Sequence, residues 1–172
     1  GGSLRVLINA GAGTFPTSAL STPGSALQAL TSADFNADGF MDLAAADNGT
    51  NSVRIILNAG TGAGTFLAAT NYAVGANPFA ITCGDFDGDG DIDLAVPNRD
   101  ANNVSILMNN GAGVFTTAVN YTVGTRPMSI VSGDFNNDGL LDLAVANNMT
   151  NNMSILINST VTPGTFAAAV NY

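Results

Sequence analysis

Short runs of alternating apolar and polar residues, separated by turns rich in glycine and asparagine, follow one another along the chain. The unit that extends from Pro78 to Gly124 is representative, with runs at 79–84, 92–96, 104–108 and 115–123. A period of two over so few residues favours strands, and an Asn-Gly turn between two runs is typical of a hairpin. Since no segment keeps a helical period, the unit predicts a sheet of four short antiparallel strands.

This unit repeats with a period close to fifty residues. DFNADGFMDL begins at Asp34, DFDGDGDIDL at Asp85 and DFNNDGLLDL at Asp134, at intervals of 51 and 49 residues. A second marker has the same period and extends from an asparagine (Asn9, Asn58, Asn109 and Asn158) to a phenylalanine (Phe15, Phe66, Phe115 and Phe166). Four-stranded repeats of roughly this length predict an all-β fold of β-propeller blades, in which neighbouring blades stack on one another.

The frame of the repeat predicts the domain organisation. Residues 1–172 form a single repeat array with a half blade (third and fourth strands only) at 1–27 and full blades at 28–75, 76–124 and 125–172. These are about 3.5 blades, whereas closed propellers have about four to eight. We therefore expect the array to be part of a larger propeller or assembly. Flanking sequence, another protein or identical subunits would then cover the open blade edges.

The aspartates are concentrated in one loop of each blade, which fits the pattern D-x-[DN]-x-D-G-x-x-D. Ca²⁺ takes roughly six to eight oxygen ligands. Side chains at loop positions 1, 3, 5 and 9 and the carbonyl of position 7 would supply them, while glycine at position 6 allows the bend. The sequence thus predicts three calcium sites. Their ligands are Asp34, Asn36, Asp38, the Phe40 carbonyl and Asp42; Asp85, Asp87, Asp89, the Asp91 carbonyl and Asp93; and Asp134, Asn136, Asp138, the Leu140 carbonyl and Asp142.

The alternative for any single loop is an Asx-turn at a polar strand end, with no metal. Three loops in register, each with glycine at position 6, favour the metal. Ten of the thirteen acidic residues lie at positions whose side chains are predicted ligands, and the net charge is −9. The absence of histidine and the single cysteine exclude zinc, and Mg²⁺ is disfavoured because it retains its waters. An acidic protein is not expected to bind nucleic acid, and no apolar run is long enough to insert into a membrane.

These motifs resemble the FG-GAP/VCBS repeat family, which is found in integrin α-subunit propellers and in many secreted bacterial proteins. The resemblance rests on segments 84–90 and 93–96 with their counterparts at Asp34 and Asp134, and on the turns 109–115 and 75–78. It implies calcium-binding propeller blades in an extracellular or cell-surface protein. It implies no particular activity, because family members include adhesins, lectins, toxin components and appendages of enzymes.

We therefore expect a non-catalytic, calcium-binding module that acts in adhesion or as a structural building block, with filament formation as one form of assembly. The side chains that usually carry out catalysis are missing from this sequence. Cys83 has no base available to activate it, and nearly all of the aspartates that could form an acid–base pair are predicted calcium ligands. The alternative is a lectin-like module that binds glycans and is appended to an extracellular enzyme. Aromatic rings usually form sugar platforms. Here ten of the twelve recur at fixed repeat positions, which indicates packing between blades and leaves only Phe40 and Phe79 unexplained.

Six N-x-[ST] sequons are also present, and they matter only in a host that glycosylates proteins. They begin at Asn48, Asn103, Asn120, Asn148, Asn152 and Asn158.

Overall fold

The computed structural model describes residues 4–7, 17–19, 26–62 and 64–172, in which every regular element is a β-strand. The strands form one two-stranded sheet and three four-stranded antiparallel sheets. Each four-stranded sheet contains four consecutive strands in chain order, as in a propeller blade. The predicted all-β architecture is thus confirmed. The described residues contain no helix that is long and apolar enough to cross a membrane.

The strand bounds follow the repeat. The two-stranded sheet consists of β1 (Arg5–Leu7) and β2 (Thr17–Ala19). Blade 1 contains β3 (Leu27–Ala33), β4 (Asp42–Asp47), β5 (Ser52–Ile56) and β6 (Thr70–Ala73). Blade 2 contains β7 (Thr82–Gly84), β8 (Asp93–Asn98), β9 (Asn103–Leu107) and β10 (Val119–Thr122). Blade 3 contains β11 (Pro127–Gly133), β12 (Asp142–Asn147), β13 (Asn152–Leu156) and β14 (Val170–Asn171).

Two of the predicted runs are longer than the strands that form. The run at 79–84 forms strand only over Thr82–Gly84, and an isolated bridge between Pro78 and Asn98 precedes it. The run at 115–123 begins with a bridge from Asn109 to Phe115 and becomes a strand only at Val119. Alternation in the sequence indicates extended backbone, but it does not show where a neighbouring strand keeps pairing with it.

The hydrophobic core lies between blades. Side chains on one side of β8 and β9, such as Leu94, Val96 and Leu107, pack against blade 1. Those on the other side, such as Val104 and Ile106, pack against blade 3. Both faces of a central blade are therefore buried, as expected when each repeat is stabilised by its neighbours.

The recurring aromatic residues form the centre of each blade interface. The ring of Phe115 makes edge contacts with Phe35 and Tyr72 of blade 1, at centroid distances of 5.6 and 5.5 Å. Phe166 makes the same contacts with Phe86 and Tyr121 of blade 2, at 5.9 and 5.6 Å. These contacts confirm, for the six aromatics that make them, the expectation that recurring aromatics pack between blades. Phe135 and Tyr172 of blade 3 are instead 48% and 74% exposed.

The first repeat is described only in part. Its two strands, β1 and β2, pair antiparallel with Leu7 opposite Thr17. The marker residues Asn9 and Phe15 of the predicted half blade lie outside the described residues.

Candidate metal centre

Each aspartate loop joins the first strand of a blade to the second, and its first carboxylate organises the turn. The two side-chain oxygens of Asp85 accept hydrogen bonds from the backbone N–H groups of Gly88 and Gly90, at 2.7 and 3.0 Å. Asp34 and Asp134 accept from the loop backbone in a similar way. The acid at position 1 therefore lies inside its own loop, with the chain wrapped around its carboxylate.

Two residues of each loop adopt left-handed backbone conformations. The glycines at position 6 have φ angles of 85°, 94° and 91°, at Gly39, Gly90 and Gly139. This confirms the predicted sharp bend, because a residue with a Cβ is strained at such angles. The structure adds a second left-handed residue at position 4, which is Ala37, Gly88 or Asn137 with φ between 56° and 80°.

The carboxylates of the second loop form a cluster. Asp85, Asp87 and Asp89 each place an oxygen within 4.8 Å of the others, and they are the only group of this kind in the described part of the chain. Burial raises the pKa of Asp87, and the neighbouring charges of Asp89 and Asp85 raise it further. Carboxylates this close repel one another and favour a bound cation.

The first and third loops have asparagine at position 3 and therefore carry one charge less. The Asn36 Nδ2 donates to Asp38 Oδ2 at 3.0 Å, and the Asn136 Nδ2 donates to Asp138 Oδ2 at 2.8 Å. The side chains of positions 3 and 5 are thus adjacent in these loops too. An amide oxygen remains a calcium ligand, so the three loops offer related donor sets with different total charge.

The acids at position 9 are fully buried, and each connects two parts of its blade. Asp42, Asp93 and Asp142 have no exposed surface. One oxygen of Asp93 accepts from the Phe86 N–H at 2.9 Å, and the other accepts from the Asn109 N–H at 2.8 Å. The same two bonds form at Asp42 and at Asp142. Each oxygen keeps a second lone pair that a cation can use.

Burial also changes the proton affinity of these acids. Desolvation raises the pKa of Asp93 from 3.8 to about 7, although the two backbone hydrogen bonds act in the opposite direction. Desolvation raises the pKa of Asp42 as well. A neighbouring divalent cation would favour the ionised form of both groups.

The residues at position 7 are held close to position 5. Phe40, Asp91 and Leu140 donate their backbone N–H groups to Asp38, Asp89 and Asp138, at 2.8, 2.8 and 2.9 Å. The structure thus brings residues of all five predicted ligand positions into a single turn in each blade. The assignment of individual ligands stays a prediction.

Two asparagines that the sequence supplied only as repeat markers connect these loops across the blade interfaces. Asn109 Nδ2 donates to the Phe35 carbonyl of blade 1 at 2.8 Å and to the Ile92 carbonyl of its own blade at 3.2 Å. Asn158 Nδ2 donates to the Phe86 carbonyl of blade 2 at 2.7 Å. Their recurrence at a fixed repeat position was the signal that could have revealed this role.

The two aromatic residues that the repeat left unexplained are half-buried. The Arg99 guanidinium lies over the ring of Phe79, 5.7 Å from its centroid. The ring of Phe40 lies against Gly60, and a Cβ added to that glycine would be 3.7 Å from the nearest ring carbons. Both rings thus have contacts within their own blades.

Comparison with known proteins agrees with the geometry. A family model described as an FG-GAP-like repeat matches residues 34–96 and 85–145, so that each match includes two successive aspartate loops. Together the matches extend over more than half of the chain. No curated protein matches it.

Proposed function

The chain belongs to the FG-GAP-like repeat family, and from this we propose that it is a non-catalytic, calcium-stabilised module of an extracellular or cell-surface protein. The observation that carries the proposal is the cluster of Asp85, Asp87 and Asp89, with an oxygen of each within 4.8 Å of the others. The module acts in adhesion or as a structural building block, and calcium holds its blades in their folded form.

The donor set favours calcium over other metals. Every predicted ligand is an oxygen, from a carboxylate, an amide or a backbone carbonyl, and hard cations prefer such ligands. Ca²⁺ accepts roughly six to eight oxygens at flexible angles, whereas Mg²⁺ requires a near-ideal octahedron and keeps several waters. Zinc prefers nitrogen and sulfur, and the chain has no histidine and a single cysteine.

Calcium would stabilise the fold by binding only the folded loops. A ligand with this selectivity contributes about 2.7 kcal/mol per site at one hundred times its dissociation constant. Extracellular calcium modules have dissociation constants of about 10⁻⁴–10⁻³ M. Three sites of this kind would make the stability of the blades depend on the calcium level outside cells.

The test compares Asp89→Ala with Asp100→Ala. Asp89 lies at position 5 of the second loop, whereas Asp100 is an exposed residue of the turn between β8 and β9. We expect calorimetric titration to give three Ca²⁺ per chain for the wild type and for Asp100→Ala, and two for Asp89→Ala. Chelator should lower the melting temperature of all three proteins, and by the smallest amount for Asp89→Ala. A wild-type melting temperature that does not change when chelator is added would refute the proposal.

A further inference from the structure

The turn before the last strand of a blade is longer in blade 3 than in blade 2. In the blade 2 turn (109–115) the phenylalanine follows the asparagine by six positions, whereas in the blade 3 turn (158–166) it follows by eight. The blade 3 turn lies against blade 2, whose loop has a carboxylate at position 3, Asp87, in place of the asparagine of the other two loops. The longer turn therefore faces the loop that carries the extra charge.

The blade 3 turn contacts the second aspartate loop at two successive residues. Asn158 Nδ2 donates to the carbonyl of Phe86, at loop position 2, over 2.7 Å. Gly164 lies against Asp87, at position 3, because a Cβ added to this glycine would be 2.9 Å from the Asp87 Cβ and 3.6 Å from its Cα. The same asparagine joins the two contacts, since Asn158 Oδ1 accepts from the Gly164 N–H at 3.0 Å. Loop and turn thus have a fixed relative position.

The blade 2 turn approaches the first loop differently. Asn109 donates to the Phe35 carbonyl in the same way as Asn158 does to Phe86. Gly113, the counterpart of Gly164, faces a side chain instead of a loop. The three atoms nearest to a Cβ added to Gly113 all belong to Leu57, at 2.9, 3.2 and 3.6 Å. A glycine of the following blade therefore meets the loop backbone in one interface and a flexible leucine in the other.

The close contact falls on the most highly charged loop. Asp85, Asp87 and Asp89 place their oxygens within 4.8 Å of one another, and Asp87 is half-buried. A turn that covers Asp87 excludes water from one side of the carboxylates, which strengthens both their mutual repulsion and their attraction to a divalent cation. It also restricts where the Asp87 side chain can move, so that less freedom is lost when a cation binds.

We propose that the blade 3 turn sets the calcium affinity of the second loop, and that Gly164 is the residue through which it does so. Gly164 is a positioning residue, because it acts through Asp87 and supplies no ligand itself. The effect is reciprocal, as any coupling between two binding events is. Calcium in the second loop therefore holds the blade 3 turn in place. This inference rests on the proposed calcium function and deepens it by naming what regulates one of the sites.

The test compares Gly164→Ala with Gly113→Ala. Both glycines have left-handed φ angles, 84° and 71°, so alanine strains the two turns to a similar extent. Only at position 164 does the added Cβ push the turn away from Asp87. We expect calorimetric titration of Gly164→Ala to show one of the three Ca²⁺ binding about tenfold more weakly than in the wild type, a typical size for coupling between sites. All three affinities should be unchanged in Gly113→Ala.

Hydrogen exchange tests the reverse direction and needs no change in the turn. The Gly164 N–H is bonded to Asn158 Oδ1, so its exchange rate measures how often the blade 3 turn opens. Calcium should slow this exchange in the wild type by about the same tenfold factor, because the coupling is reciprocal. In Asp89→Ala, which lacks a predicted ligand of the second loop, calcium bound to the other two loops should leave the rate nearly unchanged.

The possible results separate this inference from the function on which it rests. Three unchanged calcium affinities in a folded Gly164→Ala would overturn the inference and leave the calcium proposal intact. An exchange rate at Gly164 that calcium slows equally in the wild type and in Asp89→Ala would overturn it as well. A wild-type chain that binds no calcium would refute the proposed function itself, and the inference with it.

Discussion

The same phenylalanine can be removed from two successive blades, with very different expected costs. Phe86 and Phe135 both occupy position 2 of an aspartate loop and both donate their backbone N–H to the acid at position 9. The ring of Phe86 is fully buried between blades 2 and 3, in a cluster that includes Phe166 and Val104. The ring of Phe135, in blade 3, is half exposed. Replacement by alanine keeps the backbone bond at both positions and changes only the packing.

The expected magnitudes follow from burial. Phe86→Ala loses the transfer free energy of a fully buried ring and leaves a cavity, a cost of about 3–5 kcal/mol. Its edge contact with Phe166, at a centroid distance of 5.9 Å, is lost as well. At about 2–4 °C per kcal/mol for a chain of this size, the melting temperature should fall by roughly 6–20 °C. Phe135→Ala gives up only half of a ring's burial and encloses no cavity, so it should cost about 1 kcal/mol.

Thermal unfolding followed by circular dichroism in saturating calcium would measure both values. Phe35→Ala is a further control, because it removes an equally buried ring from the interface of blades 1 and 2. Equal losses for Phe86→Ala and Phe135→Ala would show that the core does not lie between blades as described.

Three further changes test the loops and their links. Asn109→Ala leaves the buried Phe35 carbonyl without its donor and should cost about 1–3 kcal/mol in denaturant unfolding. Asn58→Ala removes a 3.3 Å bond to the Met41 carbonyl and a 3.2 Å bond from the Gly60 N–H, both within blade 1, and should cost less. Gly90→Ala forces a Cβ onto a residue with φ of 94° and should destabilise by at least about 1 kcal/mol, and a neutral result would contradict the described turn. With chelator present, the free energy of unfolding should fall by up to about 4 kcal/mol as the pH rises from 4 to 7. The pKa of Asp93 is raised from 3.8 to about 7 in the folded protein, so folded Asp93 holds a proton over this range that the unfolded chain releases. Asp93→Asn should flatten that dependence, and the same slope in both proteins would exclude Asp93 as its source.

Much of the fold and the site could be predicted from local sequence because turn chemistry is local. A glycine at position 6 of a loop that closes on its own aspartate must bend, and Gly39, Gly90 and Gly139 all do so. Alternation located the inner strands well, since β8 and β9 differ from the predicted runs at 92–96 and 104–108 by one or two residues at either end. The aromatic residues between blades 1 and 2 and between blades 2 and 3 were placed correctly because identical spacing in successive repeats indicates a shared packing role.

Contacts between blades could not be predicted from local sequence. Asn109 bonds to a carbonyl 74 residues earlier in the chain, and periodic spacing alone does not show which neighbour an amide faces. A second case is the buried ion pair of blade 1, in which Arg54 Nε donates to Asp47 Oδ2 at 2.6 Å. Blade 2 has Asn98 and Ser105 at these positions, joined by a neutral hydrogen bond of 2.7 Å. The two residues change together because an arginine in that buried place needs a carboxylate.

The hydrogen bonds of one loop continue into the next, and through them calcium bound to a loop would be connected with blade stacking. Asp93 accepts from the Phe86 N–H, the Phe86 carbonyl accepts from Asn158 Nδ2, and the Asn158 N–H donates to Asp142. Any calcium ion that fixes the acid at position 9 also fixes the phenylalanine whose carbonyl receives the following blade.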